Sequence, residues 1–125
     1  MKRFVPLLLA TSLLQGCAPS GTDAATGQRI FQQCASCHQV GPNAHGGFGP
    51  QLNGLFGRRA GSTPDYAYSE AMKNAGNVWN EQTLAAFLRD PGKVVPGTKM
   101  RFWGISDANQ ILALLAYLRS YQDVR

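Results

Sequence analysis

The chain has 125 residues, room for one domain with a modest core. Its formal net charge is +5, but Lys2 and Arg3 supply part of that, and without them ten basic side chains stand against seven acidic ones. So small an excess excludes nothing acidic as a partner but gives no reason to expect nucleic acid.

Met1-Lys2-Arg3 is a basic start, followed by an apolar run of 11 residues from Phe4 to Leu14 that contains Pro6. The run is too short to cross a bilayer and reads as a signal peptide. Its end, Leu14-Gln15-Gly16-Cys17, resembles the bacterial lipobox, which directs lipid attachment to the cysteine. Cleavage there would remove residues 1–16 and leave Cys17 as the first residue, acylated on thiol and amine. Ordinary cleavage in the same small-residue stretch is the alternative, and would leave Cys17 a free thiol or remove it. On either reading the chain leaves the cytoplasm for the periplasmic side of a bacterial membrane. Residues 17–22 then form a short tether, and 23–125 the domain. A tether this short would hold the domain close to its membrane.

The first helix is expected from Thr22 or Asp23 to about Cys34, with Thr22 as cap and Asp23 in the first turn. Gly27 and Phe31 share one face of it. Gly27 is a poor helix former, which suggests a close helix contact at that point. Next comes Cys34-Ala35-Ser36-Cys37-His38. Two cysteines two residues apart, with histidine directly after, read as a c-type haem attachment site. Each thiol can add to one vinyl group, and on a helical turn the imidazole falls under the iron as proximal ligand. A zinc site needs about four N/S ligands, and only Cys17 and His45 lie outside the pentapeptide. A thioredoxin-like dithiol would want a βαβ setting, and no strand pattern surrounds it.

Gln39 to Arg59 is rich in glycine and holds Pro42 and Pro50, so it reads as a loop around the haem edge, with a helical turn at Leu52 to Phe56. His45 sits in it and reads as an exposed loop histidine. Ser69 caps a short helix to Asn74, which Gly76 ends and on which Met72 lies. Asn80 caps a clearer helix through Asp90, with Leu84, Phe87 and Leu88 at helical spacing, and Pro91 stops it. Gly92 to Ile105 is irregular, with a turn at Pro96-Gly97. Ser106 caps the last helix, to about Tyr121, with a stripe of Ile111, Leu114, Leu115 and Leu118 and Tyr117 beside it. The fold class is all-α.

A low-spin iron needs a second strong-field ligand, and a thioether opposite histidine favours Fe(II). Met72 on its helix has the ordinary reading of a core residue. Met100, in a loop, can present its sulfur more freely; spacing alone favours it without excluding Met72. Gly49-Pro50-Gln51-Leu52-Asn53-Gly54-Leu55-Phe56-Gly57-Arg58, Tyr66-Ala67-Tyr68, Val78-Trp79 and Pro96-Gly97-Thr98-Lys99-Met100, in that order, resemble the class I cytochrome c family, in its mitochondrial cytochrome c and bacterial cytochrome c2 branch. The resemblance covers about Gly27 to Tyr121.

The resemblance implies a small class I cytochrome c fold: three main helices, short helices and loops wrapped around one covalent haem c. It implies that Cys34 and Cys37 hold the vinyl groups, that His38 and Met100 ligate the iron, and that the Pro50 carbonyl accepts the imidazole N–H. Arg58, Tyr68 and Trp79 would hydrogen-bond a buried propionate. Thr98 would serve the inner one, Phe102 would cover the exposed haem edge, and Gly27, Phe31 and Tyr117 would form the crossing of first and last helices. Phe87 and Met72 depart from the branch, which has tyrosine and asparagine there, and Gly92 replaces a lysine of the partner face. An altered potential follows, and a less basic face. Arg89, Lys93, Lys99 and Arg101 read either as a docking face for an acidic partner or as solvated surface.

The function implied is electron transfer rather than enzymatic: one electron taken from a quinol-oxidising complex or dehydrogenase and handed to an oxidase or reductase. The chain would act as a monomer, with a lipid anchor on Cys17 as its membrane contact and no nucleic acid. A haem enzyme or gas sensor with an open sixth position would require Met100 to be absent or readily displaced. With two thiols on haem and one on lipid, no cysteine is left for a structural disulfide.

Overall fold

Asp23, not Thr22, caps the first helix. In the computed structural model, which describes residues 21–124, α1 spans Ala24–Phe31 and the Asp23 carboxylate accepts from the Thr26 N–H at 2.7 Å. Both residues are good caps; the one whose carboxylate reaches a free amide of the first turn takes the role. That bond, first, holds the Asp23 carboxyl below its usual pKa. The expected signal peptide, Cys17 and the start of the expected tether lie outside the described residues.

Four more helices follow: α2 Glu70–Asn74, α3 Glu81–Arg89, α4 Pro91–Val94 and α5 Ala108–Arg119. Ser69 caps α2 through the Met72 N–H. Asn80 and Thr83 cap α3 reciprocally. Pro91 stops α3 but also starts a helix: it occupies the first turn of α4, where its missing N–H costs nothing, and Asp90 ends one helix and caps the next. Asp107, one residue past the expected Ser106, caps α5. The helical turn expected at Leu52 to Phe56 does not form, because Gly54 and Gly57 both take positive φ and break the run into turns. The described residues contain no strand, only one isolated antiparallel bridge between Arg59 and Val78.

The long helices α1, α3 and α5 carry the core. Ile111, Leu114, Leu115 and Leu118 are buried along α5, as are Leu84, Phe87 and Leu88 on α3. Helix α1 lies across α5 at Gly27, where a Cβ would collide with the Ala113 carbonyl. One turn further on, Phe31 meets Tyr117 with ring centroids 5.3 Å apart. Side chains of α3 and α5 line a cleft together with Phe31 at the crossing, Met72 of α2 and residues of the irregular segments.

Candidate functional site

The peptide after α1 keeps turning. The His38 N–H donates to the Cys34 carbonyl at 2.9 Å and the Cys37 N–H to the same carbonyl at 3.1 Å. The turn sets Cys34, Cys37 and His38 on one wall of a cleft of about 390 Å³, within the usual range for a cofactor site. Leu52, Leu55, Leu84, Phe87, Leu88, Leu114 and Leu118 give it apolar walls.

His38 is held on its far side. Its Nδ1 lies 2.8 Å from the Pro50 carbonyl, which can only accept, so Nδ1 carries the proton and Nε2 keeps its lone pair. Burial holds the imidazole below its ordinary pKa; the Pro50 bond opposes this and the Arg58 charge adds to it. The ring is thus neutral at pH 7 and can ligate a metal. Gly49 presses against it: a Cβ there would stand 2.6 Å from Cε1 and 2.8 Å from Nδ1. Burial, then the neighbouring Cys37, pushes the free Cys34 thiol up to about 11.

Met100 and Met72 both line the cleft, Met100 from the loop before α5 and Met72 from α2. Thr98 lines it too, and its hydroxyl accepts from the Met100 N–H at 3.3 Å. Phe102 is half-buried on the same loop. His45 is not part of the cleft; its Nδ1 bonds the Asn43 carbonyl at 3.1 Å.

Arg58 carries the site's unbalanced charge. Its Nη1 and Nη2 both donate to the Gln51 carbonyl, at 2.9 and 3.0 Å, while Nε is buried with no partner. Burial works against its charge, and Tyr68 and Asp65 work for it. A half-buried guanidinium whose Nε is buried unpartnered, and whose other nitrogens meet only a carbonyl, calls for an anion. Trp79 is buried against Phe87, ring centroids 5.1 Å apart, and its backbone pairs with Arg58. The Tyr68 hydroxyl lies 2.6 Å from Thr63 Oγ1.

This donor set fits haem c: inside apolar walls it offers two thiols that could take the vinyl groups, a neutral imidazole that could take the iron, two thioethers and a guanidinium that could meet a propionate. Among the described residues, no three His, Cys, Asp or Glu side chains converge as a metal site. The fold and the site define a c-type cytochrome. Residues 24–122 match the cytochrome c family profile. The chain is 46% identical over 99 residues to cytochrome c2 of Blastochloris viridis, covering 79% of this chain and 78% of that one. It is 47% identical over 103 residues to cytochrome c of Sesamum indicum, covering 82% and 92%. The structure of cytochrome cH from Methylobacterium extorquens superposes with a TM-score of 0.74 at 42% identity, covering 78% of this chain and 98% of that chain. The chain therefore belongs to the cytochrome c family. It is an electron-transfer protein, not an enzyme, and carries one covalent haem c, which supplies the Fe(III)/Fe(II) couple.

Several supporting residues escape sequence reading. Gln122 clamps the backbone of Phe56 with two bonds, at 3.0 and 2.7 Å. Asn53 does the same to Gly41, at 2.9 and 2.7 Å. No spacing rule pairs residues so far apart. Gly49 could have been suspected, since it directly precedes the proline whose carbonyl holds His38.

Proposed function

We propose that the chain is a periplasmic one-electron carrier with a low-spin haem ligated by His38 and Met100. It takes electrons from a quinol-oxidising complex or dehydrogenase and delivers them to an oxidase or reductase. Acyl chains on Cys17 anchor it, through the 17–22 tether, to its membrane. The observation that carries the ligation is that His38, its Nδ1 fixed at 2.8 Å from Pro50 O, and the Met100 loop line one apolar cleft. Met72 shares the cleft, but it sits on a capped helix, and the Pro96-to-Met100 string is the one that resembles the family. Cys34 and Cys37 hold the vinyl groups. Arg58, Tyr68 and Trp79 serve one propionate and Thr98 the other, while Phe102 covers the edge. The basic n-region and apolar run ahead of Cys17 support export.

The test is a visible spectrum of the haem-loaded protein. Native ferric protein should show the weak far-red band of a thioether–iron bond, and the ferrous form should not bind carbon monoxide. Met100→Ala should lose the band and bind carbon monoxide, while Met72→Ala should keep the native spectrum. The reverse pattern would transfer the ligand role to Met72. Mass spectrometry of the membrane-extracted protein reads the acylation of Cys17 independently.

A further inference from the structure

We infer that Trp103 is an apolar anchor by which the carrier docks onto its redox partner, seated in a pocket with an acidic rim. The inference rests on the electron-carrier class and concerns one surface residue that the haem site does not use.

Single exposed apolar side chains need no explanation. Trp103 differs in how and where it is held. It is fully exposed, although an indole is among the largest apolar side chains the chain could bury. Its backbone is not free to swing. On one side Phe102 is half-buried and lines the cleft. On the other, Gly104 lies so close to the end of α3 that a Cβ would collide with the Arg89 carbonyl. Ile105 is buried and its N–H donates to the Leu88 carbonyl at 2.9 Å. The indole is thus presented outward from a pinned turn, with little ordering left to do on binding.

The position decides the occupant. Trp103 directly follows Arg101 and Phe102, which line the cleft along with Met100, so a body resting on the indole rests beside the cleft. A carrier must bring that region against its partner at each turnover. A membrane seated there would shut the partner out, so a protein partner is favoured over a lipid surface. Charge supplies the rim: Arg101 is exposed, and so is Lys99, whose ammonium lies over the Tyr66 ring and donates to the Ala67 carbonyl. Trp and Arg are the residues in which interface energy concentrates. An acidic rim around an apolar pocket complements this arrangement.

The two contributions separate in kinetics. A charge at the rim sets the association rate and its salt dependence, whereas an anchor sets the lifetime of the complex. The assay uses the haem-loaded full chain. Its oxidation by the haem–copper oxidase and its reduction by the quinol–cytochrome c reductase, both purified from the source bacterium, are followed at several salt concentrations. Trp103→Ala should raise KM by about tenfold or more with at least one enzyme, leaving kcat and the salt slope as in the native chain. Trp103→Phe should recover part of the loss. Arg101→Ser should instead flatten the salt slope. Ferricyanide oxidation, the visible spectrum and the melting temperature of Trp103→Ala should match the native protein, since the residue touches neither core nor cleft wall. A KM within about twofold of native with both enzymes overturns the inference. So does a Trp103→Ala variant that keeps its KM but, with Cys17→Ser removing the acyl chains from both proteins compared, loses binding to phosphatidylglycerol vesicles, which assigns the indole to the membrane. A native chain that ferricyanide oxidises but that neither enzyme turns over overturns the partner reading itself, and the anchor with it.

Discussion

Gly49→Ala tests whether the imidazole of His38 is gripped from both sides. The added Cβ would lie 2.6 Å from Cε1 of the ring, where about 3.5 Å is the closest comfortable carbon contact, so something must yield by about 0.9 Å. The backbone of Gly49 is a poor candidate, because its N–H donates to the Cys37 carbonyl at 2.9 Å and its carbonyl accepts from Gly47 at 2.9 Å. The ring must move instead, which stretches the 2.8 Å bond to Pro50 beyond the useful limit of about 3.2 Å. Overpacking costs roughly 1–3 kcal/mol and the weakened bond about 1 kcal/mol. Against this, alanine restricts the unfolded chain and returns about 0.4–1 kcal/mol, since Gly49 is not among the positive-φ glycines. Sterics win, and the net loss is about 1–3 kcal/mol. For a domain this size that lowers the melting temperature by roughly 5–20 °C. The potential should move as well. A weaker Nδ1–H bond makes the ligating nitrogen less basic, which stabilises Fe(III) less and raises the potential. Thermal melts and voltammetry of the haem-loaded variant read both. A melting temperature equal to or above native, with an unchanged potential, would show that the ring is not confined and refute the reasoning.

Two further substitutions probe the frame and the charge. Gly27→Ala adds about 1 kcal/mol of helix propensity, but its Cβ meets the Ala113 carbonyl and stands 2.7 Å from the Tyr117 Cβ, so α1 and α5 must part. A melting temperature several degrees below native is expected, and one above it would show that the helices do not touch there. Arg58→Met in the haem-loaded protein removes the guanidinium whose buried Nε lacks a partner. If that group faces a propionate, the uncompensated anion favours Fe(III), so the potential falls and about 3 kcal/mol of stability is lost. An unchanged voltammogram would show that Arg58 faces no anion.

The sequence carried different parts of this structure with different clarity. Periodicity placed α1, α3 and α5, because a helix buries residues at a fixed spacing that neighbours in sequence already display. It misjudged ends where two capping residues stand side by side, as at Thr22-Asp23 and Ser106-Asp107, since the choice depends on which side chain reaches a free amide. It read Pro91 as a stop and missed the start of α4, although proline suits both. A helical turn is expected at Leu52 to Phe56, but Gly54 and Gly57 take positive φ, a backbone sign set by where the loop must go. The attachment peptide was legible because its chemistry is local, with both thiols and the imidazole within five residues. The surroundings of Arg58 were not: its two bonds to the Gln51 carbonyl, like the approach of Thr63 to the Tyr68 hydroxyl, depend on a loop path that no local pattern encodes.

That loop path carries the functional logic. His38, Pro50 and Met100 all stand outside the helices, on segments with no helical ladder to stiffen them. An electron carrier works with little rearrangement between its two oxidation states, so those segments need another source of rigidity. Side chains that substitute for a ladder supply it. Asn53 grips both backbone groups of Gly41, Gln122 grips both of Phe56, and the Asp65 carboxylate accepts from the Gly46 N–H at 2.7 Å. The Gly54 N–H donates to the Tyr121 carbonyl at 3.0 Å, joining the same loop to the end of α5. Each clamp ties a loop that borders the cleft to another loop or to a helix end. The 41–57 loop, which carries Pro50, is therefore held by bonds between residues that do not line the cleft. This lets the walls of the cleft stay apolar while its irregular backbone remains satisfied.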